Sequence, residues 1–299
     1  MKSVKRVAAG FVGLAACFSF VINAGAATVY EYEGYSYTFI NNYNISLCGW
    51  DNRTPELSVP DSINERYVYS IANNACKNNT EITKLDLSEV KHLERIGMSA
   101  FKGCSAINEE LIIPECVTSI NMSAFQQCSS LPTVTDNSNV TEIPDQCFYY
   151  CTSLQNVTLN GNVQRIGYYA FADCNSLEYL ELSREVDSIQ ESSFQNCPNL
   201  TLGVYYGSYA YAYATEYEIP YVLLDGIMLG DANGDNSVNV NDVTAVQRHV
   251  AELEELEGIY CHAADINGDG VVDIDDATEL QLYLAEYDTE YNIGQVMMQ

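Results

Sequence analysis

The sequence is poor in basic residues. Its 299 residues include only 13 Lys and Arg against 41 Asp and Glu, and its formal net charge is −28. Such a surface repels phosphate backbones and anionic lipids, which argues against nucleic acid or a membrane surface as a partner. From residue 229 onward, 16 acidic residues stand beside a single basic one, Arg248. This clustering favours cations and requires a chemical explanation.

Histidine is also scarce, and no nucleophile motif accompanies it. The three histidines are His92, His249 and His262, and no Ser, Cys or Asp near them forms a recognisable catalytic pattern. The repeats described below account for nearly all of the chain between the first residues and residue 229, which leaves no length for a catalytic domain. The sequence therefore predicts a protein that is not an enzyme.

Beyond its first residues the chain has no apolar run of the roughly 20 residues that a membrane span needs. Residues 7–22 are apolar, follow a basic start and precede the small residues Ala24, Gly25 and Ala26, which is the pattern of a secretory signal peptide. We expect residues 1–26 to be removed and the mature chain to be secreted. A second cleavage stays open, because residues 14–17 resemble a lipobox that would place lipid on Cys17.

Cysteine recurs at a fixed period. The spacings between Cys104, Cys128, Cys151, Cys174 and Cys197 are 24, 23, 23 and 23 residues, which indicates a structural repeat rather than a disulfide framework. We expect these thiols to be buried and reduced, although disulfides between neighbouring repeats stay open. The copies are Ile71, Ala75, Cys76, Asn79, Ile82; Ile96, Ala100, Phe101, Cys104, Ile107; Ile120, Ala124, Phe125, Cys128, Leu131; Ile143, Cys147, Phe148, Cys151, Leu154; Ile166, Ala170, Phe171, Cys174, Leu177; and Ile189, Ser193, Phe194, Cys197, Leu200.

A period of this length is typical of leucine-rich repeats, in which each unit adds one short strand to a curved parallel sheet. The expected strands include residues 85–87, 157–159 and 180–182. A tyrosine cluster follows the last repeat and either covers the final coil or stacks on sugar rings. Its members are Tyr205, Tyr206, Tyr209, Tyr211, Tyr213, Tyr217 and Tyr221.

The pattern I-x3-A-F-x2-C-x2-L, with Val59-Pro60 and Ile113-Pro114 ahead of some copies, resembles the BspA-like leucine-rich repeat. This resemblance implies an α/β-type solenoid with short parallel strands. It places an N-terminal cap and first coil at residues 27–70, the repeats at 71–200, and a C-terminal cap with linker at 201–228. Members of the family are mostly surface or secreted proteins that bind other macromolecules, so the repeat face is expected to bind a protein or a polysaccharide.

Two acidic stretches repeat at an offset of 34 residues. A hard divalent cation such as Ca²⁺ takes oxygen ligands, and a twelve-residue loop presents them from positions 1, 3, 5, 7, 9 and 12. Position 7 contributes its backbone carbonyl, and position 9 often acts through a water molecule. The spacing predicts two Ca²⁺ ions, one held by Asp231, Asn233, Asp235, Ser237, Asn239 and Asp242 and one by Asp265, Asn267, Asp269, Val271, Asp273 and Asp276.

Each loop is followed by a helical pattern of apolar residues, and no helix is expected before either loop. Position 6 of such a loop needs a sharp turn, which Gly270 supplies in the second loop and Asn236 replaces in the first, so the first site should be slightly weaker. The apolar residues lie at helical spacing and should pack the two helices together. They are Val243, Val246, Val250 and Leu253 in the first unit and Ala277, Leu280, Leu284 and Tyr287 in the second.

Two such loop–helix units in tandem, with Asp rather than Glu at position 12, resemble a small all-α type I dockerin over residues 229–299. The resemblance implies binding to a cohesin module of a scaffold protein, and hence retention at the bacterial surface or in a cellulosome. Approximate two-fold symmetry would allow two binding orientations, but Arg248 stands opposite Leu282 and breaks it. The resemblance assigns partner contact to Val240, Asn241, Gln247 and Arg248 and to Ile274, Asp275, Gln281 and Leu282.

The sequence as a whole predicts a non-catalytic secreted adaptor with a calcium-dependent dockerin and a macromolecule-binding repeat surface. Two other functions of the repeats stay open. One is carbohydrate binding within a complex that degrades plant polysaccharides, and the other is binding or inhibition of a protein such as a protease.

Overall fold

The computed structural model describes residues 28–224, 226, 228–235, 237–256 and 258–295. The predicted signal peptide and the alternative lipidation at Cys17 lie outside these residues. Within them, we find no helix that combines the length and the apolar character needed to cross a membrane.

Short strands joined by turns make up most of the chain as far as residue 223. The strands are β1 Tyr30–Tyr32, β2 Tyr35–Phe39, β3 Asn44–Trp50, β4 Glu56–Ser58, β5 Ser62–Ile63, β6 Arg66–Ile71, β7 Lys84–Asp86, β8 Arg95–Ile96, β9 Leu111–Ile113, β10 Ser119–Ile120, β11 Thr133–Asp136, β12 Glu142–Ile143, β13 Asn156–Thr158, β14 Arg165–Ile166, β15 Tyr179–Glu181, β16 Ser188–Ile189, β17 Thr201–Val204 and β18 Tyr221–Leu223. The helices are α1 Tyr209–Glu216, α2 Val240–Val250, α3 Ile259–Ala264 and α4 Ile274–Leu284.

The repeats form a β-solenoid in which each coil contributes two strands, where the sequence predicted one. One ladder runs β9-β11-β13-β15-β17-β18, and the pair β4-β7 precedes it in the chain. The second runs β3-β6-β8-β10 and then β12-β14-β16. Pairing is parallel at a one-coil offset, as in Val134 beside Leu111 and Val157. The second ladder was missed because two-residue strands such as β8 are too short to show alternation.

The third side of each coil is an irregular arm, not a helix, that bonds directly to the next coil. The backbone N–H groups of Ser99, Phe101 and Gly103 donate to carbonyl oxygens of the following coil at 3.0, 2.8 and 2.7 Å. Ser99 and Gly103 adopt positive φ of 54° and 75°, which turns the arm so that alternate N–H groups point along the solenoid axis. Backbone bonding between coils therefore continues outside the strands.

The irregular arm of each coil from the second repeat onward contributes one phenylalanine to the solenoid core, and these rings stack along the solenoid axis. Successive rings from Phe101 to Phe194 are nearly parallel, with centroids 5.4 to 5.7 Å apart and interplanar angles of 4 to 13°. Tyr213 of α1 meets Phe194 edge-on at 6.1 Å and covers the end of the stack. The apolar period of the sequence thus becomes a continuous core closed by the cap helix.

The cysteines that recur once per coil, from Cys104 to Cys197, are free thiols that link neighbouring coils. We call them the ladder cysteines. The thiol of Cys151 donates to the carbonyl oxygen of Phe125 at 3.3 Å, and that of Cys174 to the carbonyl oxygen of Phe148 at 3.2 Å. Burial raises the pKa of these thiols, to about 12 for Cys104. A small apolar side chain with a weak donor is what this site requires.

We expect the ladder thiols to resist alkylation in the folded chain, because the thiolate is the reactive form and burial disfavours it. At pH 8, iodoacetamide should modify the partly exposed Cys48 and Cys116 well before Cys128, Cys151 and Cys174, which should react only in denaturant. Peptide mass spectrometry at successive times measures the order. Early modification of the buried set, or disulfide-linked ladder peptides, would contradict the expectation.

The C-terminal module packs α2 against α4 around a small core that includes Val246, Leu280 and Ile266. Two expectations about this module were wrong. The short helix α3 precedes the second loop, although no helix was expected there. The outer half of the predicted apolar set is exposed, because α2 ends at Val250 and α4 at Leu284, and the chain then turns through Glu252 and Glu286 at positive φ. The exposed residues are Val250, Leu253, Leu284 and Tyr287.

Both ends of this module are joined. The N–H of Leu229 donates to the carbonyl of Gln295 at 3.0 Å, and the N–H of Gly294 donates to the carbonyl of Leu229 at 2.8 Å. The side chain of Ile293 is 5% exposed and packs in the same core. Residues beyond α4 therefore complete the module.

Replacing Ile293 by alanine should lower the free energy of unfolding of the module by about 2–3 kcal/mol, because a small domain with few core residues cannot refill the cavity. Calcium titration followed by circular dichroism should show a higher midpoint. Tyr287→Ala, at a residue 67% exposed on the same segment, is the control and should change little. If Ile293→Ala changes the midpoint as little as Tyr287→Ala does, the segment after α4 does not stabilise the module.

Candidate calcium loops and docking face

The first predicted calcium loop is closed by its own side chains. The carboxylate of Asp231 accepts hydrogen bonds from the N–H groups of Gly234 and Asp235 at 2.8 and 3.1 Å. The side-chain oxygens of Asn233 and Asp235 accept from the backbone two residues further on, each at 2.9 Å. These bonds bend the chain around the side chains at positions 1, 3 and 5.

The second loop repeats this scheme with the same partners 34 residues later. Asp265 accepts from Gly268 and Asp269 at 2.9 and 3.1 Å, and its second oxygen accepts from Gly270 at 2.9 Å. Asn267 and Asp269 again accept from the backbone two residues further on, at 2.8 and 2.9 Å. The two loops therefore share the same hydrogen-bonding pattern although the residues between the predicted ligands differ.

Position 12 of each loop is a buried aspartate that joins the loop to its helix. Asp242 accepts from the N–H of Asn239 at 2.8 Å and of Asn233 at 3.1 Å. Burial raises the pKa of the Asp242 carboxyl, the two N–H groups oppose this, and the charges of Asp231 and Asp235 add to it. Negative charge is thus concentrated in a site that a cation would neutralise.

The equivalent Asp276 is fully buried and accepts three backbone hydrogen bonds. Its donors are the N–H groups of Ile266 at 2.8 Å, Asn267 at 3.3 Å and Asp273 at 2.9 Å. Each of the two aspartates also completes a capping box with the residue at position 9, Asn239 or Asp273. Both helices therefore begin directly on the loops, which couples loop geometry to helix formation.

A glycine at position 4 was missed by the sequence reasoning. Gly234 and Gly268 both have positive φ, 76° and 73°. Gly270 at position 6 shares this conformation, whereas the structure does not describe Asn236, its counterpart in the first loop. The recurrence of glycine at the offset of 34 was a signal that could have identified this turn.

The donor set of both loops fits calcium, since every predicted ligand offers oxygen and the two ligand sets include three and four aspartates. In the part of the chain that the structure describes, no group of three or more His, Cys, Asp and Glu side chains is already gathered as a metal cluster. The carboxylates accept loop N–H bonds instead, so the twelve ligand assignments stay a prediction based on donor chemistry and spacing.

All eight residues predicted to contact a partner are exposed, in agreement with a surface role. Val240 is 67% and Ile274 56% exposed, although both are large and apolar. Arg248 pairs with Glu254 at 2.9 Å and lines a groove of about 430 Å³ together with Asn241. Thr244 and Tyr260 line the same groove and were not among the predicted contact residues.

Two family models match the chain. The BspA type leucine-rich repeat region matches residues 69–201 in six copies, and the dockerin type I domain matches residues 229–285. The chain carries BspA-type repeats and a type I dockerin domain. Type I dockerins bind calcium and dock to cohesin, and neither family is generally catalytic.

Solved structures similar to this chain are bacterial leucine-rich repeat proteins. A leucine rich cell surface protein from Faecalibacterium prausnitzii is 22% identical with a TM-score of 0.44, over 59% of this chain and 54% of that one. A protein from Eubacterium ventriosum is 20% identical with a TM-score of 0.42, over 54% of this chain and 49% of that one. The chain thus spans about half the length of these two. A comparison with curated proteins gives no match.

The histidines of the dockerin and the repeats contact neighbouring groups. The Nδ1 of His249 accepts a hydrogen bond from the N–H of Leu256 at 3.1 Å, and the ring of His262 lies 5.1 Å from that of Tyr206 in the cap. His92 stacks on Tyr67 at 3.8 Å and lies 3.0 Å from Asp61.

Proposed function

We propose that this protein is a non-catalytic secreted adaptor. Its dockerin binds a cohesin module of a scaffold protein in a calcium-dependent manner, while its repeat surface binds another macromolecule. Through cohesin, the chain is retained outside the cell, at the bacterial surface or in a cellulosome.

The observation that carries the proposal is the equivalence of the two loop–helix units. Side chains at positions 1, 3, 5, 9 and 12 accept backbone hydrogen bonds in both loops. We assign one Ca²⁺ to each loop, held by the six residues predicted for it. Bound calcium neutralises the acidic loops and fixes the start of α2 and α4, whose exposed first turns carry Val240 and Ile274.

The proposal is tested by surface plasmon resonance of the whole chain on a panel of immobilised type I cohesin modules. We expect binding in calcium and none in EDTA, since the loops that position both helices need the ion. Absence of binding to every cohesin, or equal binding in EDTA, would contradict the proposal.

The predicted docking face is tested on the same surface with a matched pair of arginines. Arg248→Ala should weaken cohesin binding by about tenfold or more, in the range of interface residues that matter. Arg53→Ala is the control, because its side chain is similarly exposed, 61% against 54%, and also pairs with an acid, but lies in the N-terminal cap. Equal affinity of the two variants would move the interface away from α2.

A further inference from the structure

A cleft lies between the last complete coil and helix α1 of the cap, and we call it the cap cleft. It has a volume of about 450 Å³, and Tyr169, Glu191, Ser192, Phe194, Tyr213 and Tyr217 contribute to its lining. Small-molecule sites usually measure about 300–1,000 Å³, so the cap cleft is large enough to hold a ligand.

The floor of the cap cleft is buried and its walls are exposed aromatic rings. Phe194 and Tyr213 are 6% and 4% exposed, and the hydroxyl of Tyr213 donates to the carbonyl oxygens of Gln190 and Glu191, both at 3.3 Å. Tyr217 packs on Tyr213 with ring centroids 4.5 Å apart, yet remains 42% exposed. Tyr169, 40% exposed, belongs to the preceding coil. The cleft therefore offers two flat aromatic surfaces on a fixed base.

Polar groups lie beside these rings. The Oγ atom of Ser192 is buried and has no hydrogen-bond partner among the described residues. Such a group is unfavourable unless something pairs with it, and rotation of the serine side chain toward the cleft would let a ligand hydroxyl do so. The exposed side chains of Glu191 and Gln195 also line the cleft and add acceptors and a donor.

Charge limits the class of ligand. The described lining residues include no lysine, arginine or histidine. Burial raises the pKa of the Tyr217 hydroxyl, and the nearby carboxylates of Glu216 and Glu191 raise it further. An anionic ligand would meet this negative field without a counter-charge, so the cap cleft suits a neutral ligand.

A sugar ring combines the features that this lining can bind. Its C–H groups carry partial positive charge and are attracted to the negative face of an aromatic ring, while its hydroxyls pair with polar groups at the ring edge. A quaternary ammonium cation could stack on the same exposed ring faces but offers no hydrogen bond to polar lining groups such as the Gln195 amide, whereas sugar hydroxyls do. The lining therefore favours a saccharide over a cation.

The aromatic surface continues along the solenoid axis. Tyr149 lies 6.1 Å from Tyr169 and 6.1 Å from Tyr150, which is 47% exposed. Burial raises the pKa of the Tyr149 hydroxyl and the charge of Asp173 raises it further, and the carboxylate of Asp173 accepts a hydrogen bond from Asn196 at 2.8 Å. These rings extend the site beyond the cleft over the preceding coil, which is more than a single sugar unit can cover.

We propose that the cap cleft and the adjoining tyrosines form a binding site for a linear neutral polysaccharide. The inference rests on the proposed function, because it names the ligand class of the repeat surface that the dockerin attaches to a scaffold. The chain then carries two sites that share no residue.

The test is isothermal titration calorimetry of the whole chain with hexasaccharides of β-1,4-linked glucose, xylose and mannose. Polygalacturonate and choline serve as anionic and cationic probes. At least one neutral hexasaccharide should bind, with the same affinity in calcium and in EDTA, because the site lies in the solenoid. Binding of choline or polygalacturonate alone would overturn the inference, as would binding of none of the probes.

Substitutions locate the site. Tyr217→Ala and Tyr169→Ala should each weaken binding by about tenfold, the loss expected for one aromatic stacking contact, and Ser192→Ala should also weaken it. Tyr168→Ala is the control, because this residue is 46% exposed on the same coil but does not line the cleft. Equal affinity of the Tyr217, Tyr169 and Tyr168 variants would overturn the location.

Cohesin binding measured on the same samples separates the two proposals. Intact calcium-dependent cohesin binding without saccharide binding would contradict only the inference about the cap cleft. Saccharide binding without cohesin binding would contradict the adaptor function and leave the cleft assignment standing.

Discussion

Replacing Phe148 by alanine should lower the free energy of unfolding of the solenoid by about 3–5 kcal/mol, the range for deleting a buried aromatic ring. Phe148 is 1% exposed and lies in the middle of the stack, with Phe125 at 5.6 Å and Phe171 at 5.4 Å on its two faces. Its removal leaves a cavity that the parallel backbones cannot close, because hydrogen bonds between coils hold both neighbours in register. Urea unfolding followed by circular dichroism measures the change.

The substitution should also make the coils before and after Phe148 unfold separately, because a repeat array is stabilised by contacts between nearest neighbours. We expect the coils on either side of Phe148 to lose cooperativity, which a lower denaturant slope would report. Tyr168→Ala, at an exposed residue of the next coil, should change the stability by less than about 0.5 kcal/mol. A similar loss in both variants would mean that the ring stack adds nothing specific.

Replacing Asp276 by alanine should remove one of the two calcium sites and weaken the dockerin more than any other substitution in the loops. The side chain is fully buried and accepts three backbone hydrogen bonds, so its loss leaves three donors unsatisfied at about 1–3 kcal/mol each. Calorimetric titration should show one bound Ca²⁺ in place of two. Cohesin binding through the second half should be lost with it.

Asp275 provides the matched control, since it is the adjacent aspartate but is exposed on the first turn of α4. Asp275→Ala should retain two bound ions. Asp276→Asn preserves the shape of the side chain and most of its hydrogen bonds but not its charge, so it should fold yet bind the second ion weakly. An unchanged stoichiometry in Asp276→Ala would refute the assignment of this ligand.

The repeats could be predicted from sequence because each buried position recurs. The Phe and Cys positions appear once per coil, and periodicity identifies such residues without knowledge of the contacts. The second strand ladder could not be predicted in this way, because Arg95–Ile96 and its equivalents take their strand conformation from the neighbouring coil and not from a local pattern. Periodicity therefore located the core but not the number of sheets.

In the dockerin, the chemistry of the loops was predictable and the extent of its core was not. The ligand spacing is fixed by the ion, whereas helix ends depend on tertiary contacts. Leu253 and Tyr287 continue the apolar pattern in sequence but lie past the helix ends and are 73% and 67% exposed. Ile293, which belongs to no repeat, is buried instead. An isolated residue of this kind is identified only by its neighbours in space.

The irregular arm has a consequence for how such a protein can change in length. Because the coils join through repeating backbone hydrogen bonds, an inserted coil forms the same hydrogen bonds with the coil before it and the coil after it. Neither neighbouring coil needs a change of sequence. Duplicating 23 residues such as 144–166 would lengthen the arm by about 4.8 Å, one inter-strand spacing. The distance between the caps can therefore change in evolution only in steps of one whole coil, while the dockerin at one end stays unchanged.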